Sequence, residues 1–462
     1  MEIMRRFGWL WLAISSLFSV GLAVAETRPQ YGGTLHVAIQ STLTSLDPAD
    51  LRQPDSFARR SITSLIFETL VTTDDSGRPH PALATSWQTV AETQPGHQRW
   101  EFRLRRGVKF HDGTSLTPEI VAASLHTANS SWNVSAGADL VIIERGATDR
   151  ELLAELALSR NAVVKRNGDG TLSGTGPFYP TEWQPGKKVF LSAEENYWGG
   201  RPFLDAIEIE MGRNSRDQMT ALELGRAELV DVAPELSRRA SAGGRVISSA
   251  PMELLALLFA RDAQTPEEEV LRQALALSIG RAAMGSVLLQ GAGQAAGSIL
   301  PNWMSGYGFV FSAEADLPRA RHQREQVRKI PTWTLGYDAN DSIGRLTAER
   351  IALNARDAGL MVQPTTATAT DLRLMRIPLA SADAWVALAS VAEVCGLTKV
   401  NTNGGSVEDL YSTERAILAT QRLIPLFHLP VNYAAATTLR NWLPRSDGSL
   451  DLADAWLGSE KP

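Results

Sequence analysis

Apolar residues recur along this chain in two rhythms, one of period two and one near 3.6. Residues 34–39 (Thr-Leu-His-Val-Ala-Ile) alternate and predict a strand buried on one face. Residues 61–70 place Ile62, Leu65, Ile66 and Leu70 on one helical face. Residues 100–104 alternate again, and Thr117-Pro118 reads as an N-cap followed by proline at the first helical position. Further along, strands are expected at 188–191, 206–210, 229–232, 254–259, 332–337, 359–362, 384–389 and 425–429. Helices are expected at 151–158, 216–224 (closed by Gly225), 267–279 and 343–358. Short strands alternating with helices predict an α/β layered protein.

The first residues follow neither rhythm. Arg5-Arg6 precede a nearly unbroken apolar run over 7–24, and Ala23-Val24-Ala25 has the small-x-small spacing of a cleavage site. Residues 1–25 therefore read as a secretory signal peptide, a retained membrane anchor being the alternative. Cleavage would remove Glu2, Arg5 and Arg6 and move the formal net charge from −6 to −7. A mildly acidic chain has no basic footprint for nucleic acid or for anionic lipid. Cys395 is the single cysteine, so no internal disulfide forms and the fold depends on its core.

Two motif blocks stand in a fixed order. The first is Leu104-Arg105-Arg106-Gly107-Val108-Lys109-Phe110-His111-Asp112-Gly113. The second is Gly174-Thr175-Gly176-Pro177-Phe178, followed by Asn196-Tyr197-Trp198-Gly199-Gly200-Arg201-Pro202. Together with Gly32-Gly33-Thr34-Leu35, Leu46-Asp47-Pro48, Phe67-Glu68-Thr69-Leu70, the 270–275 segment and Ile424-Pro425-Leu426-Phe427, they resemble the family 5 extracellular solute-binding proteins. Those are the peptide-, nickel- and glycoside-binding subunits of ABC importers.

The resemblance implies a two-lobed periplasmic binding protein fold (type II) with an extra small α/β domain inserted in lobe I. Lobe I would comprise 26–50, 170–250 and 425–462, the extra domain 51–169, and lobe II 251–424. The chain would cross between lobes near Ser249-Ala250 and Leu423-Ile424. The chain also departs from the family's pattern. Ile279-Gly280-Arg281 lacks the family's Asp before Arg, and 118–121 (Pro-Glu-Ile-Val) lacks another. The stretch matching the Trp-x-x-Asp segment of peptide-binding members, 387–393, has neither residue; its nearest carboxylate is Glu393. The segment after it is short, so lobe II reads as trimmed.

Chemistry-bearing residues narrow the function classes. The glycine block 174–176 lacks the Lys-Ser/Thr of a phosphate loop and reads as a tight re-entry of the chain. His111-Asp112 invites a metal reading, but the seven His are scattered with no two at helical ligand spacing. No Gly-x-Ser-x-Gly elbow is present, so a secreted hydrolase has no residues to carry it. Candidate ligand contacts are Ser41 and Thr42 after the first strand, Arg261 after a later strand, Trp303, Trp385 and Glu393. The reading is a non-catalytic, cofactor-free and monomeric binding subunit that takes a small solute or oligopeptide and docks on an ABC permease in the inner membrane. A degenerate relative serving as a sensor or partner-binding module is the alternative.

Overall fold

The structure is a computed structural model; it describes residues 28–90, 97–146, 152–233, 236–291, 293–397, 400, 405–445 and 447–458. The expected signal peptide lies outside them. Among the described residues no helix is long and apolar enough to cross a membrane.

One sheet of eleven strands organises the chain. Its members are β1 (Thr34–Ala38), β2 (Phe178–Gln184), β3 (Lys188–Ala193), β4 (Ala206–Glu210), β5 (Leu229–Asp231), β6 (Arg245–Phe259), β7 (Gln294–Ala295), β8 (Thr332–Gly336), β9 (Met361–Thr365), β10 (Leu372–Pro378) and β11 (Leu423–Ala435). The order is β2-β3-β4-β1-β5-β11-β6-β10-β8-β9, with β7 pairing β11. β1 runs parallel to β4 and β5, and β8 runs parallel to β9 and β10. Helices cover both faces of each half. In the first half, Leu35, Val37, Ile207, Ile209 and Tyr433 pack under helix α1 (Phe57–Ile66). In the second, β6 sends Leu255, Leu257 and Phe259 to one core and Met252, Leu254 and Ala256 to another. That period-two split is what a strand buried on both faces requires.

β6 and β11 are the long strands, 15 and 13 residues, and each serves both halves. Their pairing is irregular where they cross. Ser248 faces Asn432, Pro251 faces Pro430 and Glu253 faces Leu429, with a register shift on each side of Pro251. Proline donates no ladder hydrogen bond, so two facing prolines open the ladder at one point. Side chains take up the slack: Ser248 Oγ donates to Asn432 Oδ1 at 2.6 Å, and Val431 N donates to Ser249 Oγ at 3.0 Å. Leu426, Phe427 and Leu429 pack in the second core and Tyr433 and Ala435 in the first, so β11 passes from one core to the other around Pro430.

A separate four-stranded antiparallel sheet (Ala84–Val90, His97–Leu104, Leu140–Gly146, Asn133–Ala136) has its own core around Phe102, Val141, Ile143 and Leu125. The two motif blocks weld it to the first half. Glu68 is the clamp: its carboxylate accepts from Thr175 Oγ1, Tyr197 Oη and Trp198 Nε1, each at 2.8 Å. Arg105 stacks over the Trp198 ring. Gly174 and Gly176 lie flat against the end of α1, where a Cβ on Gly174 would overlap the Ile66 carbonyl. His111 N donates to Gly174 O and His111 Nε2 to Gly176 O, both at 2.9 Å. Both blocks are thus structural.

Two sequence expectations about elements fail. The helix expected over 61–70 begins at Phe57, because Ser56 caps it by accepting from Arg59 N, and it ends at Ile66. The strand expected over 384–389 is instead helix α5 (Ala384–Val394). Residues 384–389 are apolar without a break, so the sequence shows no helical period there although burial is one-sided (Val386, Ala387, Leu388, Val391 and Ala392), and the start signal is Asp383, which accepts from Trp385 N and Val386 N.

Candidate functional site

The parallel strands β1 and β5 end side by side, and strand carboxyl ends at such a switch are where open α/β sheets take ligands. A cavity of about 60 Å³ opens there, lined by Ile39, Ser41, Phe57, Asp231, Val431 and Tyr433 among others. Tyr433 and Val431 bring it to the strand crossing. Phe57, at the start of α1, also touches the second half's core, so the cavity lies at the junction of the halves.

Asp231 is the charged group of this lining. Both its oxygens accept from Gln40 N, at 3.1 and 3.3 Å. Among the described residues no cation pairs with it, and burial pushes its carboxyl up to about 6. Tyr433 Oη is committed to Gly448 O at 2.8 Å, and Ser61 Oγ to the backbone of Phe57 and Leu450. The Gln218 side chain also donates to Asp231, which leaves Ser41 as a polar side chain of this lining that can meet a guest and Asp231 as a carboxylate without a counter-ion.

The second half sends one aromatic side chain to the strand crossing. Trp303, in the short helix α3 (Asn302–Ser305), is 39% exposed and donates from Nε1 to Pro251 O at 3.3 Å. It therefore sits on the crossing itself. The halves also meet away from it. Gly77, at the tip of the Val71–Thr73/Pro79–Pro81 hairpin, abuts the backbone of Ala382 and Asp383. Val386 packs on Ala154 and Leu158. The halves thus touch on these sides as well as at the crossing.

The structure brings some of the sequence candidates together. Ser41 lines the cavity and Trp303 stands on the crossing. Trp385 is half-buried at the start of α5, against Gly405. Thr42 turns its methyl to Gly212 and is exposed. Arg261 lies beyond the far end of β6, ten residues or about 30 Å of extended chain from Pro251, and pairs with Glu268 at 3.0 Å. Glu393 is exposed near the far end of α5. The sequence reading missed Asp231, whose signal was an acidic residue inside the apolar run 229–232. It also missed Asp383, a carboxylate closer to the junction than Glu393.

Other chemistry stays quiet. A wider depression of about 410 Å³ lies on the opposite face of the first half, where His36 lies against Glu208 and Arg213 pairs with Glu210. Among the described residues no group of three His, Cys, Asp or Glu could hold a metal ion. Cys395 is buried, which pushes its thiol up to about 12.

Crossing strands, a junction cavity and two motif blocks folded around Glu68 can be set against known proteins. The model of the bacterial extracellular solute-binding proteins, family 5 (middle), matches residues 78–387. The chain belongs to this family. It is similar to the nickel-binding protein NikA of Staphylococcus aureus, 24% identical over 237 residues that cover 48% of this chain and 46% of that protein. It is also similar to the oligopeptide-binding protein AppA of Bacillus subtilis, 22% identical over 341 residues that cover 66% and 59%. The chain thus spans about half the length of these curated relatives. As solved structures, AppA in complex with a nonapeptide superimposes with a TM-score of 0.78 at 17% identity, over 94% of this chain and 100% of that one. NikA in complex with Ni(L-His)2 gives 0.76 at 16% identity, over 92% and 99%. These likenesses establish the two-lobed type II fold.

Proposed function

We propose that this family 5 protein is a periplasmic substrate-binding subunit of an ABC importer. It captures a small organic solute, peptide-like or other, between its lobes and presents the closed form to a permease in the inner membrane. The observation that carries this reading is the pair of long strands broken at Pro251 and Pro430, with a cavity beside the break and lobe contacts beyond it. A weak point in two shared strands lets rigid halves swing, and a guest that touches both favours the closed population.

In this reading Ser41 and Asp231 contact the guest from lobe I, Trp303 from the crossing and Trp385 from lobe II. Asp231 favours a cationic group on the guest, because its charge lacks a protein counter-ion. The work is binding alone, by burial of the guest and pairing of its polar groups. The lobe limits belong to the same reading: 26–50, 170–250 and 431 onward for lobe I, 51–169 for the extra domain, and 251–430 for lobe II.

The test is thermal melting and small-angle scattering against peptides, amino-acid derivatives, sugars and metal chelates. A specific guest at 100 times its Kd adds about 2.7 kcal/mol of stability, and the radius of gyration falls as the lobes shut. A melting shift without compaction favours the sensor or partner-binding role. No shift with any compound class overturns capture.

A further inference from the structure

The loop that carries Trp303 is held from inside the protein by groups that the binding reading does not use. Glu414, on helix α6 (Val407–Ala419), is fully buried. Its Oε1 accepts from Ile299 N and, at 3.2 Å, from Leu300 N; its Oε2 accepts from Tyr307 Oη. The carboxylate therefore grips the chain just before and just after α3. On the other side of the same residue, His428 Nε2 donates to Ile299 O at 2.9 Å. His428 lies on β11, two residues before the crossing at Pro430. Ser298 Oγ donates to Leu300 O at 2.8 Å and Ser305 Oγ to Tyr307 O at 3.1 Å, which tightens the loop internally. From this fixed base Trp303 reaches Pro251 O on the other crossing strand.

We propose that Glu414 and His428 are positioning residues for Trp303: gripping Ile299 from its N–H and its carbonyl, they brace the loop between the two crossing strands and set the indole against the cleft. This rests on the reading that Trp303 walls the guest site. The brace has a defined chemistry. Three donors converge on Glu414, an arrangement that suits the ionised, acceptor-only form. Burial opposes that charge and pushes the carboxyl up to about 7. When the carboxyl takes a proton it gains a donor, and the Tyr307 hydroxyl must turn to accept it. The titratable groups around it are Tyr307 from the loop, Tyr411 from the same helix and His428 from β11. Burial pushes His428 down to about 4, so it stays neutral while Glu414 titrates.

The test is Trp303 emission in guest-free protein, obtained by subtracting the spectrum of Trp303→Phe from that of wild type, followed through pH values either side of 7. The wild-type difference spectrum shifts as Glu414 titrates. Glu414→Gln keeps the volume but holds one arrangement, so its difference spectrum, taken against the matching double variant, loses the transition near pH 7 and keeps at most the lower one that Asp231 contributes near 6. Tyr307→Phe, which removes the partner hydroxyl, flattens the profile too and carries the test if Glu414→Gln does not fold by circular dichroism. A wild-type spectrum that stays fixed, or a Glu414→Gln profile that tracks wild type, overturns the brace. Neither outcome depends on a guest, so a failure here is distinct from a failure of capture in the melting panel.

Discussion

Single residues carry two separable burdens in this protein, one electrostatic and one steric. Asp231 carries the first. Its folded carboxyl sits at about 6 against 3.8 for the free group, so the folded state holds a proton more tightly. The associated stability is complete below the unfolded value and is lost as pH rises through 6. Asp231→Asn removes the charge and keeps the shape. Its melting temperature should exceed wild type at pH values above 6, by the equivalent of about 3 kcal/mol at most, and the difference should vanish toward pH 4. The same variant should bind a cationic guest more weakly, and wild-type affinity for that guest should fall as pH drops through 6. Gly174 carries the steric burden. Gly174→Ala drives a Cβ into the Ile66 carbonyl and should lower stability by about 3 kcal/mol. Gly168→Ala, where the space is open, is the control that should leave the denaturation midpoint near wild type.

At the scale of elements, legibility in the sequence tracked periodicity and burial. β1 and β4, each with a clear alternation, were placed within a residue of their true limits, and so was the 266–278 helix with its Thr265 cap and Pro266. α5 reads as a strand because Trp385, Val386, Ala387 and Leu388 are apolar on successive positions, and a short unbroken apolar run carries no period that separates helix from strand. The real length of β6 was hidden for a different reason. Ser248, Ser249 and Pro251 look like a loop, yet they continue a strand across the lobe boundary, with hydroxyls replacing ladder bonds. The site was half visible. Ser41 and Trp303 stood out by position and type, whereas Asp231 and Glu414 acquire meaning from partners nearly two hundred and more than one hundred residues away. The α5 start also invites a test. Val386→Glu sets a charge against Ala154 and Leu158 and should shift the population toward the open form, recorded as a larger radius of gyration than wild type in the same buffer.

Taken whole, the molecule is two α/β lobes sharing one sheet, with a small antiparallel sheet fastened to the first through Glu68. The lobes are not beads on a flexible string, because β6 and β11 are structural members of both. β5 shows what this means for assembly. On one side it pairs with β1; on the other it waits for residues 433–435. Tyr433 and Ala435 then complete the first lobe's core. A chain growing from its N-terminus therefore cannot finish its first half until almost the last strand has emerged. The early half stays an unsealed intermediate, with β5 exposing an edge, through most of synthesis. Maturation is consequently a single late event for both halves, and a chain truncated before residue 423 should yield no independently stable first lobe.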